Sequence, residues 1–416
     1  MEKKVWLWNH YATSMALNKG GRHYWFAENL IKQGYEPTIF CANTYHNQND
    51  PVNLDGKKHT KRMIDDIPFV YVKAKDYTGN GIDRVLNMTS FYRNLFPVAK
   101  EYAKQHGKPD VILASSVHPL TMVAGIKIAK KFGIPCICEV RDLWPESLVA
   151  YDIISRNNPL TKGLYSGERW IYKKADAVVM TWPGGKDYIL EQGWDNVVNM
   201  DKVHHISNGV VIDSFDENAE KYPVSDPDLS SQKHFNVVYA GSIRKVNNLG
   251  VLLDAAKIVA TEGYDDIRFL IYGSGNEESS LRQRCNEKNI TNVIFKGRVD
   301  KQSVPSVLQQ ANINILHNSS TSLDKYGQSQ NKLFEYLAAG KCIVQTYTTG
   351  HSVLDKYNAG ISVENQNPDS IAKTIIDVYN NQADLKIRGS NARNASKDFD
   401  FKKLTSKLIA IIENLD

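Results

Sequence analysis

The 416-residue chain lacks several features that would classify it quickly. It has no apolar run of about 18 residues and no charged-then-apolar leader, so neither a membrane span nor secretion is expected and the chain is expected to work in the cytoplasm. Its five cysteines, Cys41, Cys136, Cys138, Cys285 and Cys342, include no Cys-x-x-Cys pair and have no histidine at finger spacing. They fall mostly in apolar strand-like runs and read as reduced core residues, not zinc ligands. No low-complexity tract or short repeat appears, which excludes a solenoid or a disordered scaffold. A large charge of one sign is missing too: +5 is too mild for a nucleic-acid partner.

What charge there is lies unevenly. Residues 1–210 carry 27 Lys and Arg against 21 Asp and Glu, and the remainder carries 24 against 25, so the front half holds the whole excess. Much of it sits in "GKKHTKRMIDDIPFVYVKAK" and in Arg84, Arg93, Lys100, Lys104 and Lys108. Two readings stand: a solvated basic face, or attraction to an anionic membrane surface or phosphorylated acceptor.

The 42% hydrophobic content is ample for a large core, and the length suggests two or three domains. Short β-rich runs alternate with helical patterns twice. "VWLW", "PTIFCA", "FVYV", "DVILASS", "PCICEV" and "AVVMT" come first; after the polar, proline-bearing stretch 216–234 follow "FNVVYAG", "RFLIYG", "NVIFKG", "INIL", "CIVQT" and "GISV". Such alternation predicts parallel sheets covered by helices, hence two doubly wound α/β domains, the second followed by helical patterns to the end.

Ligands on such sheets bind beyond the carboxyl ends of the strands, so the strand-to-helix loops are where chemistry belongs. "NKGGRHYW" pairs Gly20 with Gly21, whose backbone N–H groups would suit an anion or a plain turn. "ASSVHPL" ends a strand at His118, and "EVRDLWPES" clusters Glu139, Arg141 and Asp142, either for ligand contact or as a structural ion pair. In "YGQSQNKLFEYLAAGKCIV", a helix is predicted from Ser329 as cap to Gly340. Lys332 then falls in its first turn, where the dipole disfavours a cation by roughly 0.3 to 1 kcal/mol. A bound diphosphate would explain that lysine, with Glu335 accepting from ribose hydroxyls; the competing reading is a helix ion pair between the two, worth about 0.3 kcal/mol.

The order of "GGRH", "SSVHP", "EVRDLWPES", "SNGVVIDSF", "VVYAGSI", "FLIYGSG", "VIFKGRVDKQSVPSVLQQANINIL" and "YGQSQNKLFEYLAAGK" resembles the GT-B glycosyltransferases of family 4 over nearly the whole chain. It is most similar to the bacterial branch that adds sugars, L-fucosamine among them, in capsule and O-antigen assembly. The resemblance implies two Rossmann-like domains facing a central cleft: an acceptor-side domain at 1–208, a nucleotide-sugar domain at 209–396 and a C-terminal helix at 397–416 that crosses back to the first. It implies sugar transfer from a nucleotide donor, generally UDP-linked, with retention of configuration and with no metal or other cofactor. The acceptor would be a lipid-diphosphate-linked sugar, reached peripherally at the inner face of the cytoplasmic membrane.

Carried over by residue, the resemblance makes His118, Lys332 and Arg244 catalytic. It assigns Gly20, Gly21, Lys245, Arg298, Val299, Ser329, Asn331, Leu333 and Glu335 to the donor, and leaves Glu139, Arg141 and Asp142 as acceptor-side candidates. Glu335 matches the second acid of the family's Glu-x7-Glu motif, whereas the place of the first is Gly327. The Asp-x-Asp pairs Asp226/Asp228 and Asp398/Asp400 lie away from predicted strand ends, so no metal site is expected there. For the membrane-facing surface the candidates are Lys57, Lys58, Lys61, Arg62, Arg84 and Arg93, with Phe91 and Tyr92 entering the interface. Inside the same fold the alternative is a nucleotide-sugar 2-epimerase; outside catalysis it is a nucleotide-sugar-binding subunit.

Overall fold

A computed structural model describes residues 2–45, 51–77, 79, 81–116 and 118–415; Val117 of the "SSVHP" motif therefore lies outside the described residues. The chain forms two units, Met1–Ser207 with Phe401–Asp416, and Asn208–Asp400.

The first unit runs β1 (Lys4–Trp8), α1 (Thr13–Asn18), α2 (Arg22–Lys32), β2 (Glu36–Ala42), β3 (His59–Ile64), β4 (Ile67–Val72), α3 (Ile82–His106), β5 (Val111–Ser115), α4 (Pro119–Phe132), β6 (Cys136–Val140), α5 (Glu146–Ala150), α6 (Pro159–Lys174), β7 (Ala177–Met180), α7 (Gly185–Glu191) and β8 (Val203–His205). Its eight strands lie in the order β3-β4-β2-β1-β5-β6-β7-β8. Strand β1 is central and buried on both faces, as a strand covered by helices on each side must be. Trp6 there packs on Phe40 at 4.8 Å and on Tyr102 at 5.6 Å between ring centroids. Because β2 pairs on one side of β1 and β5 on the other, the strand order reverses at β1, and the loops after β1 and β5 flank that switch point.

The second unit runs α8 (Ile212–Lys221), β9 (Phe235–Ala240), α9 (Leu249–Thr261), β10 (Ile267–Tyr272), α10 (Glu278–Glu287), β11 (Val293–Gly297), α11 (Val304–Gln310), β12 (Ile313–Leu316), α12 (Asn331–Ala339), β13 (Cys342–Gln345), α13 (Val353–Tyr357), β14 (Gly360–Ser362), α14 (Pro368–Asn380) and α15 (Gln382–Ser396). Its six strands, β11-β10-β9-β12-β13-β14, are all parallel and reverse order at β9, so the loops after β9 and β12 flank the second switch point. Helix α16 (Phe401–Glu413) belongs to the first unit, where Phe401 meets Trp25 at 4.7 Å and Glu413 pairs with Lys3 at 2.9 Å.

Three elements escape the sequence pattern. The first sheet is not wholly parallel: β3, inside the basic stretch, runs antiparallel to β4 at the sheet edge, where Lys61 and Arg62 are exposed. Charged side chains suit an unpaired edge because they discourage pairing with other chains. Strand β8 and helix α1 are the others, both too short to show a period. The polar stretch 216–234 falls within the second unit, partly in α8. No helix among the described residues is long and apolar enough to cross a membrane.

Candidate active site

In the second unit, α12 starts later than the sequence suggests. Its first residue is Asn331 and its N-cap is Gln330, with no side-chain cap. Ser329 is not the cap: its Oγ accepts from the Asn208 backbone N–H at 2.7 Å, and its carbonyl accepts from Asn208 Nδ2 at 2.7 Å. Lys332 is thus the second helical residue, and Gly340 ends the helix in the left-handed region with φ 68°.

The Lys332 ammonium donates to Tyr239 Oη at 3.2 Å and lies 4.7 Å from that ring's centroid. Tyr239, near the end of β9, donates its own hydroxyl hydrogen bond to the Ser242 carbonyl at 2.9 Å. A β-carbon on Gly241 would come within 3.1 Å of Lys332 Nζ, so the bare glycine leaves the lysine its position. Burial, and then the neighbouring Arg244 charge, pull the Lys332 amine down to about 8, with Glu335 opposing. Arg244 and Lys245 stand exposed in the loop after β9, Arg244 bonding Ser242 Oγ at 3.2 Å.

Glu335 is partly buried, and burial raises its carboxyl although Lys301 and Lys332 oppose the shift. Among the described residues no hydrogen bond or ion pair reaches its carboxylate, and the Lys332–Glu335 ion pair is not formed. Both charges are therefore held in the fold without neutralising each other.

Sequence reasoning missed the support around them. His317, which directly follows β12, is fully buried with Nδ1 bonded to Thr346 Oγ1 at 2.7 Å and Nε2 to the Asn248 carbonyl at 3.0 Å; burial drops it to about 4 and keeps it neutral. Gln330 donates to Tyr347 Oη at 2.8 Å, Tyr347 donates to Gln328 Oε1 at 2.9 Å, and Gln328 bonds Gln345, fixing the loop before α12. Gly327 adopts φ 87° and ψ −162°, a conformation essentially closed to side-chain-bearing residues, which explains why no acid stands there. Of the remaining donor candidates, Asn331 and Arg298 are exposed. Leu333 and Val299 are different: Leu333 is fully buried with its amide donating to Gln330 O, and Val299 packs against the same core. Neither side chain presents a polar group to a ligand.

The first unit holds a second charged cluster, and it is closed. Glu139 is fully buried; Oε1 accepts from Arg22 Nε at 2.8 Å, and Oε2 accepts from His23 Nε2 at 2.8 Å and Ser115 Oγ at 2.7 Å. Burial alone would raise its carboxyl, but Arg22, His23 and Ser115 together hold it well below the usual carboxylate range. Arg22 also donates to the Ser207 and Ile206 carbonyls at 2.5 and 2.9 Å. The structure thus removes Glu139 from any acceptor and makes it the anchor of β6, α2 and the 206–207 segment. Asp142 is exposed, while Arg141 is partly buried with its Nε unpartnered among the described residues.

Gly21, with φ 120°, caps α2, and a β-carbon there would strike Met15 at 2.9 Å; the Gly20 N–H is already spent on Met15 O. His118 caps α4 and is buried, its Nε2 2.9 Å from His10 Nδ1 and its Nδ1 without a partner among the described residues. Burial and then the Arg84 charge push it down to about 3, so it is a neutral imidazole.

The Asp-x-Asp pairs have structural partners. Asp226 and Asp228 clamp Lys296 at 2.7 and 2.6 Å, Asp398 accepts from Tyr357 at 2.6 Å, and Asp400 accepts from the Ile212 N–H at 3.0 Å. Of the aromatic residues expected at an outer surface, Phe91 is fully buried against His10 at 4.4 Å, so it enters no interface, and Tyr92 is partly buried. The apolar side chains actually exposed there lie one turn apart at the start of α3: Ile82 at 79%, Val85 at 59% and Leu86 at 42%.

Comparison with known proteins agrees with this architecture. Residues 21–209 match the glycosyl transferase 4-like domain and residues 234–381 match the glycosyl transferases group 1 family. The chain belongs to the glycosyltransferases of the GT-B type. It is 26% identical over 248 residues to an uncharacterised glycosyltransferase of Methanocaldococcus jannaschii, covering 59% of this chain and 60% of that one. It is 27% identical over 244 residues to TuaH of Bacillus subtilis, a candidate glycosyltransferase of teichuronic acid biosynthesis, covering 56% of this chain and 55% of that one. The chain thus spans little more than half the length of these relatives. HepE of Anabaena, solved in complex with UDP, shares the fold with a TM-score of 0.68 at 13% identity, covering 99% of this chain and 100% of that chain.

Proposed function

We propose that the protein transfers a sugar from a UDP-linked donor to a lipid-linked or saccharide acceptor, with retention of configuration and without a catalytic metal, in the assembly of a bacterial surface polysaccharide. The observation that carries this reading is the unpaired couple Lys332 and Glu335 beside the second switch point: a cation and an anion kept apart in a partly buried site cost stability unless a ligand engages both. A UDP moiety does so. Its diphosphate meets the Lys332 ammonium, the first-turn N–H groups of α12 and the Arg244 and Lys245 side chains; its ribose hydroxyls donate to Glu335. The neighbour HepE, of the same fold, binds UDP, and TuaH carries a surface-polymer assignment in its name.

Departure of the sugar leaves negative charge on the diphosphate, and the cations aimed there stabilise an oxocarbenium-like transition state. Retention follows from attack on the face the nucleotide leaves, with the departing phosphate oxygen taking the acceptor proton. Among the acceptor-side candidates Arg141 and Asp142 remain, Glu139 being consumed internally. The exposed Ile82, Val85 and Leu86 near Arg84, with Lys57, Lys58, Lys61, Arg62 and Arg93 on the same unit, suit peripheral contact with an anionic membrane, each basic group adding about 1 kcal/mol or less.

The test is UDP release from a panel of UDP-sugars, with a polyprenyl-diphosphate sugar presented in anionic or in neutral vesicles. The expected result is release that needs the acceptor, survives excess EDTA and is faster on anionic vesicles. Release without acceptor points to hydrolysis or epimerisation; loss in EDTA, restored by Mn²⁺, contradicts the metal-free reading; equal rates on both vesicle types remove the membrane contact.

A further inference from the structure

Two buried side chains behind His118, Asn87 and His10, fix which of its nitrogens carries the proton. Asn87 is fully buried in α3, and its Nδ2 donates to the Lys75 carbonyl at 2.6 Å and to Thr44 Oγ1 at 3.1 Å. A carbonyl only accepts, so the amide orientation is settled and Asn87 Oδ1 is the atom facing His10 Nε2 at 2.7 Å. An amide oxygen also only accepts, so His10 carries its proton on Nε2. With a single ring proton, on Nε2, His10 offers a lone pair at Nδ1, and His118 Nε2 donates to it across 2.9 Å. What is left at His118 is Nδ1, a bare lone pair, buried and without a partner among the described residues.

We infer that Asn87 and His10 are positioning residues that lock His118 in its Nε2–H tautomer, so that its free Nδ1 accepts a hydrogen bond from a ligand hydroxyl. The sugar hydroxyl as occupant rests on the glycosyltransferase reading above; the tautomer lock does not. The two steps divide the labour: neither Asn87 nor His10 touches the ligand, yet their orientation decides what His118 recognises. A donor group fits Nδ1, and a carboxylate or a fluorine, which only accept, are rejected there because the lone pair would stay unpaired. The same chain of hydrogen bonds makes a sharp substitution available. In Asn87→Asp the carboxylate favours a protonated His10, whose Nδ1–H now donates to His118 Nε2 and forces the His118 proton onto Nδ1, inverting the lone pair into a donor.

The decisive experiment is long-range ¹H–¹⁵N correlation on histidine-¹⁵N-labelled full-length protein, with His118 assigned through His118→Asn. The expected spectrum shows His118 protonated at Nε2 in the wild type and at Nδ1 in Asn87→Asp; a wild-type His118 protonated at Nδ1 overturns the inference whether or not any variant folds, and so does an unchanged His118 pattern in a folded Asn87→Asp. Calorimetry with UDP, UDP-glucose, UDP-galactose and UDP-N-acetylglucosamine then tests the ligand half. Asn87→Asp should leave UDP affinity unchanged and reduce, on the order of tenfold, the extra affinity that a sugar adds. A sugar increment that is undiminished, or absent for all three in the wild type, overturns the hydroxyl contact. Failure of wild-type protein to bind UDP at all overturns the proposed function instead and leaves the tautomer result standing.

Discussion

Two charged clusters lie at strand ends in this chain, and they differ in one respect. Around Glu139 both carboxylate oxygens are occupied, and its partner Arg22 is occupied as well, at Ile206 and Ser207. Around Lys332 and Glu335 the arrangement is open: the ammonium leans on a tyrosine, the carboxylate has no partner among the described residues, and a second cation, Arg244, lies near enough to depress the lysine. A cluster whose hydrogen-bonding capacity is exhausted inside the fold holds the fold together. One left unsatisfied at a cost to stability marks where a ligand completes the set.

The sharpest way to break that comparison is to treat the closed cluster as if it were a binding site. Glu139→Gln leaves Arg22 buried without a counter-charge and should cost about 3 to 5 kcal/mol in chemical denaturation, while the folded fraction still binds UDP. A loss under about 1 kcal/mol accompanied by weakened UDP binding would move Glu139 into the site. A smaller effect is expected at Gly327. Restoring an acid by Gly327→Glu, or adding only a methyl by Gly327→Ala, should each cost about 1 to 3 kcal/mol because φ 87° with ψ −162° excludes both. A Glu variant as stable as the wild type would show that the loop is free to rearrange.

The open cluster also predicts a pH dependence. With Lys332 at about 8 in the folded protein and near its ordinary value when unfolded, the unfolded chain keeps a proton through that interval that the folded chain has released. The contribution of Lys332 to stability therefore rises with pH between about 8 and 10.5, and below pH 8 its buried charge weighs against the fold. Diphosphate reverses the preference by stabilising the ammonium. UDP affinity should fall as pH rises through 8, and binding at pH 8.5 should take up a fraction of a proton, seen as a dependence of the calorimetric heat on buffer ionisation enthalpy. Lys332→Ala should abolish the uptake; uptake that persists in that variant would assign the proton to another group.

Much of the fold was legible because buried parallel strands are continuous apolar runs, as in "INIL" and "FNVVYAG", and each is followed by a helical period. Strand β3 was not, since an edge strand guarded by Lys61 and Arg62 reads like a solvated loop. The site was legible where the signal is local. Lys332 stands out because a cation in a first helical turn is a mismatch that four neighbouring residues reveal. Ser329 misled for the complementary reason: a hydroxyl before an apolar period looks like a cap, but its Oγ is taken by Asn208, 121 residues away. Glu139 with Arg22, Tyr239 under Lys332, and the Asn87–His10–His118 chain are likewise contacts across 117, 93 and 77 to 108 residues, which no local pattern encodes.

The central claim, that Lys332 and Glu335 are held apart for a nucleotide, is tested most directly by titrating UDP calorimetrically into the wild type, Lys332→Ala and Glu335→Gln while recording each protein's thermal midpoint. The account predicts UDP affinity reduced about 10- to 100-fold in Lys332→Ala and about tenfold in Glu335→Gln, with stability unchanged or slightly raised as an unpaired buried charge is removed. Affinities equal to the wild type in both variants, together with a lowered midpoint, would show that the two residues serve the fold and would contradict it.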